Sequence, residues 1–121
     1  MPSEVKRAVR VAERVRAELA ELLNRDVDDP RLTGVVISRV HMPDDLKNAH
    51  VYIRTLDGEG RIEAIAGLER AAGMLRRELA RRLKLRYAPA LRFSYDEGQD
   101  RILRIETLLE EVKVEQRTRK P

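Results

Sequence analysis

The chain has 121 residues, with 25 Lys and Arg against 21 Asp and Glu, a net charge of +4, a pI near 9.8 and no cysteine. That length supports one small domain with a single core and leaves no room for two. The lack of cysteine, of any apolar run near eighteen residues and of a hydrophobic leader in "MPSEVKRAVR" excludes a disulfide scaffold and a membrane span, so a reducing cytoplasm is expected.

In chain order, Ser3 is a candidate N-cap, and Val5, Ala8, Val9, Ala12, Val15, Leu19, Leu22 and Leu23 recur at a helical period to about Asn24. "RDVDDPRLTG" breaks that helix at Pro30 and Gly34. "VVISRVH" and "NAHVYIRTL" are rich in β-branched residues and, joined by "MPDDLK", predict a hairpin. In the second of these strands Ala49, Val51, Ile53 and Thr55 alternate with His50, Tyr52 and Arg54, so one side is core.

After the turn "DGEG", a helical pattern runs from Arg61 to about Arg86 with Ile62, Ile65, Leu68, Ala72, Leu75, Leu79 and Leu83 on a shared face and Gly73 within its span. A third strand, "APALRFSYD", opens at Pro89 and turns Leu91, Phe93 and Tyr95 inward. The long crossover lets it lie parallel to the second strand. Ile102, Ile105, Leu108, Leu109 and Val112 predict a short C-terminal helix, leaving 1–112 as the domain and 113–121 as a basic, disordered tail. The fold class is α+β, with helices on one face of a three-stranded sheet.

Charge is unevenly spread. Lys6, Arg7, Arg10 and Arg14 fall within an arc of roughly 100° facing away from the apolar stripe of the first helix. Residues 70–86 carry Arg70, Arg76, Arg77, Arg81, Arg82, Lys84 and Arg86 against Glu78 alone, and Arg70, Arg77, Arg81 and Lys84 share the face opposite the leucines. Asp96, Glu97, Asp100, Glu106, Glu110 and Glu111 gather towards the other end, so the chain is polarised. Such a stripe is either an ordinary solvated face laced by Glu13, Glu18 and Glu21, or a surface for phosphates. The acid-poor stretch 70–86 favours phosphate, and so does the excess of arginine over lysine.

The order of elements, together with "DDPRLTG", "PDDLKNAHVYI", "LERAAGMLRRELARRLKLRYAPALRFSYD" and "RILRIETLL", resembles the bacterial ribosome-binding factor A family over roughly residues 3–110. The resemblance implies a type II KH-like domain in the order helix, strand, strand, helix, kink, helix, strand. Ordinary KH domains grip single-stranded nucleic acid with a GxxG loop, which this chain lacks. The family has an Ala-x-Gly kink between two helices instead, and Ala71, Ala72 and Gly73 match it. Gly73 is expected to loosen one turn there, or simply to let the bend pack. Arg31 in "DDPRLTG" matches a family position, where it touches RNA or pairs with Asp28 or Asp29.

By the same resemblance the chain binds the immature small ribosomal subunit and its 16S rRNA, and possible further partners are other assembly factors. It acts without catalysis or cofactor, as a cytoplasmic monomer with no membrane partner. The residues agree in kind. With Phe93, Tyr52, Tyr87 and Tyr95 the only aromatics, few rings are left to stack bases, so structured RNA backbone is the expected ligand. Asp28 with Asp29 and Asp44 with Asp45 read as turn caps rather than catalytic acids. His41 and His50 fall short of a zinc set, no phosphate-binding glycine loop is present, and metal and nucleotide cofactors are not expected. An alternative stays open at this point: a module that recruits another assembly factor through its basic face.

Overall fold

A computed structural model describes residues 3–25, 29–56 and 58–98, with side chains in the first helix from Arg7 onward. Among the positions singled out from sequence, the side chain of Lys6, Asp28, the helix expected near 101–112 and the tail lie outside the described residues. The elements are α1 (Ser3–Arg25), a short 3-10 turn (Pro30–Leu32), β1 (Val35–His41), β2 (Asn48–Thr55), α2 (Arg61–Leu83) and β3 (Ala90–Tyr95).

The predicted periodicities build the core. On α1, Ala8, Ala12, Val15, Leu19 and Leu22 form one buried stripe, and on α2 Ala64, Leu68, Leu75, Leu79 and Leu83 form another. Both meet Ala49, Val51 and Ile53 of the central strand and Phe93 of β3. The sheet order is β1-β2-β3, with β1 antiparallel to β2 and β3 parallel to it. The α2 crossover makes the parallel pairing possible, and the result is the expected α+β, KH-like arrangement of helices on one face of a three-stranded sheet. α1 lies over β1 and α2 over β3, on one face of the sheet.

The first strand departs from simple alternation. Its pairing runs Ile37 to Ile53, then skips Ser38 and resumes with Arg39 opposite Tyr52 and Val40 opposite Val51. The extra residue is a bulge that reverses the parity of the strand. Ile37 and Val40 therefore both face the helices although they are three apart, while Arg39 turns to the far side with Tyr52. The Ser38 hydroxyl donates to the Asp96 carboxylate at 2.6 Å and lies 3.1 Å from the Tyr52 carbonyl oxygen, which gives the bulge polar partners.

Two expectations for α2 are corrected. Residues 61–83 form one unbroken helix, so Ala71, Ala72 and Gly73 lie inside a helix rather than between two. A glycine costs a helix only about 1 kcal/mol, and Leu68 and Leu75, both fully buried, hold the chain to the sheet on either side of it. Gly73 is also exposed, and a methyl group there would meet nothing nearer than the Arg77 guanidinium at 3.6 Å. The helix makes its close approach at Gly67, where a Cβ would sit 3.1 Å from Leu32 and 3.6 Å from Arg31. This buried glycine lets the 3-10 turn dock against α2.

Candidate nucleic-acid interface

α1 is amphipathic because its apolar residues recur at helical spacing, and the same spacing sets where its arginines fall. Arg7, Arg10 and Arg14 are exposed, with no ionic partner among the described residues. Arg16, on another side of the helix, is bound to Glu13, and Arg25 lies 3.3 Å from Glu21. The intrahelical carboxylates therefore serve other arginines and leave the stripe open.

α2 divides its basic residues differently. Arg70, Arg77 and Lys84 are exposed and likewise lack an ionic partner among the described residues. Arg81 is 2.6 Å from Glu78, which also lies 3.6 Å from Arg82. Glu18 of α1 reaches Arg82 at 3.4 Å, so the stretch expected to lack acidic relief is partly relieved, once from within the helix and once from its neighbour. Arg81 in turn holds the Glu78 carboxyl below its ordinary range by donating a hydrogen bond to it. Arg76 does not join the stripe: its guanidinium donates to the carbonyls of Pro89 at 3.0 Å and Ala88 at 3.3 Å, tying α2 to the approach of β3.

Arg31 is engaged as well. Its Nε and Nη2 donate to the two carboxylate oxygens of Asp29 at 3.1 and 2.8 Å, while its backbone N–H bonds the same carboxylate at 3.0 Å and caps the 3-10 turn. The Arg31 side chain is the main cause that holds the Asp29 carboxyl below its ordinary range, with the charge of Arg70 a smaller contribution. The acids read as turn formers act as such where they are described: Asp29 caps this turn, and Asp45 accepts from the Lys47 N–H at 2.9 Å. His41 and His50 face each other across the hairpin with ring centroids 6.1 Å apart.

Helical geometry collects the open cations. Arg7, Arg14 and Glu18 are spaced by seven and four residues, as are Arg70, Arg77 and Arg81, so each set is a single ridge. The apolar sides of both helices face the sheet, and Glu18 meets Arg82 where the helices adjoin. The two ridges thus run on the outer side of the helix layer, away from the sheet. The structure brings Arg7, Arg10, Arg14, Arg70, Arg77 and Lys84 to this surface uncommitted, Arg81 partly committed, and Arg31 and Arg76 turned to structural use.

Sequence reading passed over the open face of the sheet. Arg39, Arg54 and Arg92 project there with His41, His50 and Tyr52. The alternation of β2 carried that signal for Arg54; the bulge hid it for Arg39. Asp96 offsets this face: its carboxylate accepts from Ser38 and from the Gly98 N–H, lies 3.9 Å from Arg39, and is held below the ordinary aspartate range mainly by the Ser38 hydrogen bond. Among the described residues no helix is long and apolar enough to cross a membrane.

Comparison with known proteins agrees with the resemblance seen in the sequence. The family model described as Ribosome-binding factor A matches residues 7–109. A ribosome-binding factor A from Sorangium cellulosum is 51% identical over 117 residues, covering 93% of this chain and 94% of that protein. The crystal structure of ribosome-binding factor A from Thermus thermophilus superposes with a TM-score of 0.68 at 27% identity, covering 75% of this chain and 97% of that one. A homology model of the Thermus thermophilus factor, fitted into a cryo-EM map of its complex with 30S, gives a TM-score of 0.62 at 28% identity, covering 74% of this chain and 96% of that one. With its helix order, mixed sheet and nearly full-length match, the chain belongs to the ribosome-binding factor A family.

Proposed function

We propose that the protein is a non-enzymatic assembly factor that binds the immature 30S subunit through 16S rRNA and assists its maturation, its helix layer facing the RNA. The observation that carries this reading is the pair of uncommitted basic ridges on α1 and α2. Six guanidinium or ammonium groups without a salt-bridging carboxylate among the described residues carry unrelieved positive charge, which phosphates would relieve while releasing counterions. The Thermus relative placed in a 30S complex supports the partner. Binding of this kind positions the protein on folded rRNA by backbone contact and needs no cofactor. The factor acts as a cytoplasmic monomer, with residues 1–112 as the functional domain.

A salt titration against 16S rRNA fragments tests it. Neutralising about six phosphates gives a slope of log K against log[salt] near −4 to −5. The combined substitution Arg10→Glu, Arg14→Glu and Arg77→Glu should abolish co-sedimentation with immature subunits at unchanged melting temperature. Undiminished co-sedimentation would refute the helix-layer interface.

A further inference from the structure

We propose that Tyr87 is a base-stacking platform: the connection between α2 and β3 takes one unpaired RNA base on the Tyr87 ring, with Arg86 and Lys84 meeting the adjoining phosphates. The inference rests on the RNA-binding reading and adds to it a ligand class, single-stranded RNA, that the helix ridges alone do not select.

Three of the four aromatic rings are already used. Phe93 is in the core, Tyr52 lies under the Arg39 guanidinium at 4.1 Å, and Tyr95 lies under that of Arg61 at 3.9 Å. Tyr87 is 68% exposed, with Arg86 at 5.3 Å from its centroid. A base laid on this ring would gain stacking, and the guanidinium beside it adds a cation–π contact.

The backbone holding the ring is anchored on both sides. Lys84 takes the left-handed conformation at φ 53° and ends α2, and the Leu85 N–H returns to the Ala80 carbonyl at 3.0 Å while its side chain packs on the core. Pro89 is fully buried, the Ala88 and Pro89 carbonyls are clamped by Arg76, and the Ala90 N–H bonds the Lys47 carbonyl at 2.9 Å. Arg86 and Tyr87 are the exposed residues between these anchors, so little ordering entropy is lost on binding. Arg77 and the exposed Lys84 lead along α2 to its C-terminal end, so a strand following the free cations of that helix arrives at Tyr87.

The test compares an oligoadenylate of about ten nucleotides with a blunt RNA duplex, using the whole chain. Tyr87→Ala should weaken oligoadenylate binding about tenfold, leave duplex binding and the salt slope unchanged, and remove the quenching of tyrosine fluorescence that the oligoadenylate causes. Tyr87→Phe should bind both RNAs as the parent does. Failure of the parent to bind oligoadenylate, no loss on Tyr87→Ala, or equal loss for both RNAs overturns the proposal. The helix-ridge reading fails separately, if Arg10→Glu with Arg14→Glu and Arg77→Glu leaves duplex binding intact.

Discussion

The outer side of the helix layer and the open face of the sheet both display arginines, but among the described residues the helix layer leaves more of them without a salt-bridge partner. On the sheet, Arg39 covers Tyr52 and approaches Asp96. Arg54 and Arg92 on the same face make no salt bridge among the described residues, while on the helix side, at the start of α2, Arg61 covers Tyr95 and lies 2.7 Å from Glu97. On the helices, Arg7, Arg10, Arg14, Arg70 and Arg77 have no ionic partner among the described residues. Formal charge is therefore a poor guide to where a polyanion binds. A guanidinium already satisfied by a ring or a carboxylate must break that contact before it meets a phosphate, whereas an open one only sheds water and counterions.

The contrast can be broken by removing charge from each side in turn. Reversing Arg10, Arg14 and Arg77 should reduce the magnitude of the salt slope by about 2–3, the share of three phosphates, whereas reversing the engaged Arg39 to Glu should change it by less than about 1. Equal effects from the two faces would erase the distinction. Engaged and open sites also alternate along α2 itself, at its two glycines. Gly67→Leu should cost about 1–3 kcal/mol in chemical denaturation, because the side chain must displace Leu32 and lift the 3-10 turn.

On the sheet side, Asp96→Asn should cost about 1–2 kcal/mol at neutral pH, since the Asp96 side chain is only 14% exposed and loses a charged hydrogen-bond acceptor. The folded pKa of Asp96 lies below its unfolded value, so this contribution is complete above about pH 4 and is lost as pH falls through the depressed folded value. The variant should accordingly show a flatter stability profile below pH 4; a profile parallel to the parent's would remove Asp96 from the account. Gly73→Ala should stabilise by up to about 1 kcal/mol, as its methyl group would make only an ordinary contact with the Arg77 guanidinium at 3.6 Å. The smallest change is expected from Glu78→Ala, which leaves Arg81 without its carboxylate and should steepen the salt slope by at most about 1.

Element order, the buried stripes of both helices and the alternation of β2 were legible because each is a local repeat: 3.6 residues per helical turn and two per strand decide which side chains share a face wherever the chain packs. The α1 ridge was legible for the same reason, since Arg7, Arg10 and Arg14 compete only for partners on their own helix. For Arg31 the sequence left contact with RNA and pairing with Asp28 or Asp29 both open, and the structure shows the Asp29 pair; Arg76 was read as free because a basic residue in a basic neighbourhood looks so until its partner is known. For Arg76 that partner is a carbonyl thirteen residues away; for Arg82 it is a glutamate on another helix. Gly73 drew attention by interrupting a helical run, while Gly67, in the same helix, carries the close approach.

From sequence alone, this protein's elements, its core faces and the outward display of its basic residues were determined, because short-range periodicity and steric preference set them. Tertiary structure alone decided which charges remain open, which glycine must stay small and that Arg39 points away from the core. Those outcomes depend on atoms brought together from distant parts of the chain, Glu18 to Arg82, Leu32 to Gly67 and Ser38 to Asp96, and no local pattern encodes such meetings.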